Sequence, residues 1–163
     1  MDSQDLDALR KLTDRMKVAM LSTVAEGGAL RSRPLQTLEL DDEGRLWFFV
    51  SGSSGKVEEM LGQDGNVGLS YADNSGMDFV SISGRGEIVR DRGRMKALWT
   101  PWAKIWFPRG VDDPDLALLC VRIENAEYWD APRSAMKRLY GLAKARATGD
   151  TGALGEHRKV GNA

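Results

Sequence analysis

The chain has 163 residues, a length that suits one domain and can bury a core without staples. Its net charge of −1 offers no global field to nucleic acid or an anionic membrane, and its one cysteine, Cys120, rules out an intramolecular disulfide. No run approaches the roughly 18 consecutive apolar residues of a membrane helix, and the acidic start Met1-Asp2-Ser3-Gln4-Asp5 lacks the basic-then-apolar order of a secretion signal. The expectation is a cytoplasmic protein with no membrane partner.

Leu6, Leu9, Leu12 and Met16 recur at helical spacing behind a capping Ser3 and the acidic Asp5 and Asp7, which predicts an amphipathic helix over Ser3 to Met16. Val18 to Val24 reads as a strand, with Gly27-Gly28 turning it into a second strand from Ala29 to Leu40. Asp41 to Gly44 closes another hairpin into the very apolar Arg45 to Ser51. Ser54 to Leu61 has a helical pattern, Asn66 to Tyr71 is a short strand, and Met77 to Arg90 a longer one with period-two alternation. Gly84 and Gly86 inside it predict a bulge or sharp bend. Asp91 to Trp99 is helical, Pro101 restarts a short helix through Trp106, and Leu116 to Trp129 returns to strand. Ser134 to Ala147 is predicted as a final helix. Residues 1–149 are expected to form a single domain, and 150–163, rich in glycine and charge, a mobile C-terminal tail. Many strands joined by tight turns argue for an antiparallel sheet closed on itself rather than a doubly wound parallel sheet.

The stretch from Arg31 to Lys56 is the most informative. Alternation places Arg31 and Arg33 on one face of their strand. The aromatic strand Leu46-Trp47-Phe48-Phe49-Val50 ends in Ser51-Gly52-Ser53-Ser54-Gly55-Lys56, a polar loop that feeds a helix start. Guanidinium groups, an ammonium, hydroxyls and helix N–H donors suit a phosphate, and the aromatic strand suits a flat ring. A ring with a phosphate tail describes a flavin or pyridoxal nucleotide. The alternative is that both arginines are solvated surface residues and the loop is only a cap. A nucleotide-triphosphate loop is excluded, because Val50 and Val57 stand where its first glycine and its Mg²⁺-binding hydroxyl belong. Gly84-Arg85-Gly86 fails as a dinucleotide fingerprint, because Val89 replaces the third glycine.

Other candidates read more plainly. Trp99, Trp102, Trp106 and Phe107 form an aromatic cluster that suits a core or an interface. The run Asp112, Asp113, Asp115 lacks the spacing of a calcium loop and reads as a solvated turn, so no metal site is assigned. Cys120, inside an apolar run, reads as a buried thiol. The lone His157 lies in the expected tail, which argues against haem ligation. Lys137, Arg138, Lys144 and Arg146 make the last predicted helix basic, but the near-zero net charge favours a solvated face over a nucleic-acid contact.

The order Arg33-Pro34-Leu35, turn, Phe49-Val50-Ser51, then Ser54-Gly55-Lys56 resembles the FMN-binding split barrels of the pyridoxamine 5′-phosphate oxidase superfamily. Met20 to Val24, Trp102 to Phe107, Asp112 to Leu116 and Glu127-Tyr128-Trp129 resemble its bacterial general stress protein branch. The resemblance runs from the first helix to Trp129. It implies a mainly β fold, an antiparallel Greek-key split β-barrel with flanking helices, and a homodimer with flavin at the subunit interface. It implies that Arg33 and Lys56 hold the FMN phosphate, and Ser54 of the polar loop is counted among the cofactor-binding candidates. Leu35 and Gln36 would face the ring, with Phe49 and Val50 beside it and Ser51 nearby, Pro34 is a further cofactor-binding candidate, and Trp106 would cover the ring from the partner subunit. FMN is the implied cofactor, with FAD as the alternative. Two departures matter. Gly55 replaces an arginine that oxidases of this superfamily often carry, which predicts weaker phosphate binding. The family's C-terminal Arg-x-His motif is also missing, which argues against vitamin B6 oxidation. The expected function is therefore flavin binding of the general stress protein type. Either the flavin serves an oxidoreductase acting on an unidentified small substrate, or the protein is a non-catalytic carrier, sensor or buffer. No catalytic residue is assigned.

Overall fold

The computed structural model describes residues 3–54, 57, 64–130 and 156–161. Helix α1 (Ser3–Met16) buries Leu9 and Leu12 against the sheet. It stops at Lys17, whose φ of 61° lies in the left-handed region, and the chain turns directly into β1 (Val18–Val24). A 3-10 turn over Glu26–Gly28 leads into β2 (Leu30–Leu40). Gly27 and Gly28 there have φ of 78° and 84°, a conformation that side chains disfavour.

A carboxylate fastens the next hairpin. Asp41 accepts hydrogen bonds from the amides of Glu43 and Arg45 at 3.0 Å each and from the Trp47 indole at 2.8 Å. This locks β2 to β3 (Arg45–Ser51). Then follow β4 (Asn66–Asp73), β5 (Asp78–Val89), α2 (Arg92–Leu98), α3 (Ala103–Trp106), β6 (Leu116–Asp130) and β7 (Glu156–Gly161). The Asp91 side chain caps α2 by accepting from the Arg94 amide at 3.0 Å.

The strand order is β3-β2-β1-β4-β5-β6-β7, every pairing is antiparallel, and β3 also pairs with β6. That extra pairing, from Arg45↔Arg122 to Ser51↔Leu116, closes six strands into a barrel. β4 lies beside β1 rather than beside β3, which is the Greek-key arrangement. The mainly β, antiparallel split-barrel expectation is met. So is the expected bulge: the register of β5 on β6 shifts between Ser83 and Gly84. A Cβ on Gly84 would run into the Arg122 carbonyl, so only glycine permits the close approach.

β3 is buried on both faces, which explains its unbroken apolar run. Leu46, Phe48 and Val50 point into the barrel with Leu21, Leu69, Val80 and Leu119. Trp47 and Phe49 point outward and pack under the segment 92–107 with Met95, Ala103, Leu116, Leu118 and Cys120. The inner core also holds one polar pair, Thr37 Oγ1 and Tyr71 Oη at 2.8 Å, which satisfies both buried hydroxyls.

One expectation is corrected. Residues 156–161 are not a loose tail but strand β7, paired along β6 from Asp130↔Glu156 to Asn125↔Gly161. Val160 is buried in the barrel cluster, Arg158 pairs with Asp5 of α1 at 2.8 Å, and the His157 ring stacks on Trp129 at 4.8 Å. The helix predicted over Ser134 to Ala147, with its basic residues, lies outside the described residues. The helix predicted over Ser54 to Leu61 also lies largely outside them. No helix among the described residues is long and apolar enough to cross a membrane.

Candidate functional site

On the outer face of β2 and β3 there is a cavity of about 500 Å³. The alternation of β2 sends Pro34 and Gln36 outward, and the register Val18↔Gln36 brings Val18 of β1 to the same place. Phe49 supplies the wall from β3, and Thr100, Ala103, Trp106 and Phe107 close the far side. Leu35 and Val50 border the cavity too, but their side chains belong to the barrel core, so alternation leaves their backbone to face it. Phe49 is held by Trp99 and Phe107, with ring centroids 5.5 and 6.2 Å away and planes tilted by 59° and 65°. The short helix α3 is tied by the Phe107 amide donating to the Ala103 carbonyl at 2.9 Å. Trp106 itself is 76% exposed and stands at the rim.

Seven of the ten sequence-predicted site residues therefore border one space: Pro34, Leu35, Gln36, Phe49, Val50, Ser51 and Trp106. Trp106 borders the cavity of its own chain. Arg33 does not border the cavity. Its side chain leaves β2 on the opposite face, with Leu35 and Thr37, and donates to Thr23 Oγ1 at 3.0 Å. Antiparallel pairing carries the end of β3 toward the Arg33 end of β2, so the turn after Ser51 lies at the same end of the barrel. Lys56 lies outside the described residues.

The turn is organised differently from the sequence expectation. The Ser51 hydroxyl donates to the Asp115 carboxylate, as do the Ser53 amide at 2.9 Å and the Ser53 hydroxyl at 3.1 Å. The Gly52 amide donates to the Asp115 carbonyl at 2.7 Å. The donations to the carboxylate from Ser51, foremost, and from Ser53 hold the Asp115 carboxyl below its ordinary value. Asp115 is thus an anchor, not part of a merely solvated turn. The Ser54 hydroxyl oxygen is buried and has no hydrogen-bond partner among the described residues.

Sequence reading missed Val18, Leu38, Thr100, Ala103 and Phe107 as cavity residues. Val18 and Leu38 carried usable signals: Val18 lies opposite Gln36 once the first hairpin is registered, and alternation puts Leu38 on the face of Pro34 and Gln36. None of the twelve described residues bordering the cavity is ionisable. The lining suits a neutral planar group, with Gln36, Thr100 and strand backbone as its polar contacts. Cys120 is no nucleophile here: burial pushes its thiol up to about 11.

Residues 4–152 match the family model described as "Pyridoxamine 5'-phosphate oxidase like". The chain belongs to the pyridoxamine 5′-phosphate oxidase-like family. Among solved structures, this family member is similar to a Clostridium acetobutylicum protein related to general stress protein 26 of B. subtilis. The two are 27% identical with a TM-score of 0.67, over 80% of this chain and 91% of that one. It is also similar to the general stress FMN/FAD binding protein of Xanthomonas citri, at 28% identity and a TM-score of 0.68, covering 81% of this chain and 93% of that one. Protein bli-3 of Neurospora crassa is 24% identical over 167 residues, which cover 96% of this chain and 79% of its own length.

Proposed function

We propose that this family member binds FMN, with the isoalloxazine ring in the cavity beside β2 and β3 and the phosphate toward Arg33, Ser54 and Lys56. One observation carries the reading: a largely apolar cavity with no ionisable side chain among its described lining residues lies on the outer face of β2, while an arginine and a buried serine hydroxyl without a partner among the described residues lie at the adjoining end of the barrel. The chemistry of the donors fits the group, since a ring needs apolar walls and a phosphate needs cations and hydroxyls. The similar Xanthomonas citri protein is named for FMN/FAD binding, which supports the same ligand class with FAD as the alternative.

When bound, the flavin would supply electron exchange with a small substrate, and this chain would supply binding and orientation. The lack of an ionisable side chain among the described lining residues favours a second reading, a flavin carrier, sensor or buffer without turnover. A homodimer is proposed as well. Val18 and Met20 on β1 and Trp102, Ile105 and Trp106 on the covering segment are large apolar residues left 41–76% exposed, and a second copy would cover them. Light scattering should then report a dimer, and a stable monomer that still binds flavin would contradict that part.

The test is a titration of the purified protein with FMN and riboflavin. Arg33→Ala should weaken FMN by about tenfold or more and riboflavin little, because only FMN carries the phosphate. Equal losses for the two ligands would refute the phosphate assignment. Reduction of the bound flavin by a nicotinamide donor, followed by rapid reoxidation, would favour the oxidoreductase over the carrier.

A further inference from the structure

We infer that Asp115 is a positioning residue that sets the preference of the site for a phosphorylated over an unphosphorylated ligand. The inference rests on the flavin reading above. Three consecutive residues at the end of β3 hang on Asp115: Ser51 and Ser53 through its carboxylate, and Gly52 through its carbonyl. Asp115 lies 64 residues from Ser51 in the chain, so the link ties the exit of β3 to the entry of β6. The anchor is itself braced, because its amide donates to the Asp113 carboxylate at 2.9 Å.

The consequence reaches the residues that follow. The Ser54 amide donates back to the Ser51 carbonyl at 3.1 Å, and the Val57 amide to the Ser54 carbonyl at 2.9 Å. Val57 is buried in the barrel cluster. Ser54 is thus pinned from both sides, and its hydroxyl oxygen is left buried without a partner among the described residues. A buried hydroxyl without an acceptor is costly, and a phosphate oxygen would relieve it. Ser51 and Ser53 already serve the carboxylate, so they shape the turn rather than hold the ligand. The negative charge of Asp115 is offset by Arg90, which lies over Gly52. Without Asp115 the turn loses three hydrogen bonds to a charged group at once, and Ser54 loses its fixed position.

The experiment compares dissociation constants for FMN and riboflavin in the full chain, in Asp115→Ala, in Asp115→Asn and in Ser53→Ala. Asp115→Ala should bind FMN about tenfold more weakly while riboflavin changes by less than about twofold. Asp115→Asn keeps an oxygen acceptor and should recover part of the loss. Ser53→Ala removes a single hydroxyl and should move the same way by less, and it carries the comparison if Asp115→Ala does not fold. Parallel losses for both ligands would show a general structural role and overturn the inference. Tighter FMN binding by Asp115→Ala would overturn it too, because the carboxylate would then be opposing the phosphate. A wild-type protein that binds neither flavin, or both equally, would refute the flavin-phosphate reading and this inference together. A wild-type preference for FMN that every variant retains would refute this inference alone.

Discussion

The two faces of β3 make the most instructive contrast in the molecule. Inward, Leu46, Phe48 and Val50 are at most 1% exposed, because five other strands supply side chains from every direction. Outward, Trp47 and Phe49 are covered by the segment 92–107, whose helices α2 and α3 have only seven and four residues, with Trp99 and Phe107 against the Phe49 ring. Such short helices cannot fill the space with side chains, and an opening of about 500 Å³ remains beside Phe49. Stability and site are therefore built on the same strand but on opposite faces. A strong perturbation of one face need not reach the other.

Substitutions can break that contrast, and the largest effect belongs inside. Phe48→Ala should cost about 3–5 kcal/mol in chemical denaturation, through lost burial and an unfilled cavity. A loss below about 1 kcal/mol would mean that the inner face is not the principal core.

The hairpin carboxylate should come next. Burial by itself would raise the Asp41 pKa, but donation from the Trp47 indole, the Arg45 amide and side chain and the Glu43 amide prevails and holds it below the usual 3.8. A depressed folded value stabilises above the unfolded one, and this stabilisation is lost as pH falls through the folded value. Denaturation midpoints should therefore hold through neutral pH and drop below about pH 4. Asp41→Asn should lower stability by about 1–2 kcal/mol at neutral pH and flatten that acid limb. An unchanged acid limb would remove Asp41 from the account.

The smallest effect on stability, and the sharpest test of the division, is Trp106→Ala. The residue is 76% exposed, so stability should change by less than about 0.5 kcal/mol. FMN affinity should nevertheless fall by roughly two- to tenfold, the scale of a lost ring-stacking contact. Unchanged affinity would take Trp106 out of the site.

Much of the fold was legible in the sequence because its signals are local. The apolar run Arg45 to Ser51, bounded by a turn and a Ser/Gly loop, was placed to the residue. The alternation in β5 and the glycines at its bulge were equally plain. Strand β7 was not, because Glu156 to Gly161 is polar and gains its order from β6 and from the Arg158 contact with Asp5. The site was half legible. Pro34, Gln36 and Phe49 share a space because strand alternation is readable. The roof of Thr100, Ala103 and Phe107 depends on where the segment after β5 comes down, which no local pattern encodes. The same holds for Asp115. A carboxylate in a polar turn looks solvated until the fold brings Ser51 and Ser53 to it.

A crystal structure of the protein with saturating FMN tests the central claim most directly. The account predicts the flavin ring beside β2 and β3, against Gln36, Phe49 and Trp106, with the phosphate accepting from Arg33 and Ser54. Flavin bound elsewhere, or a phosphate turned away from Arg33 and Ser54, would contradict it.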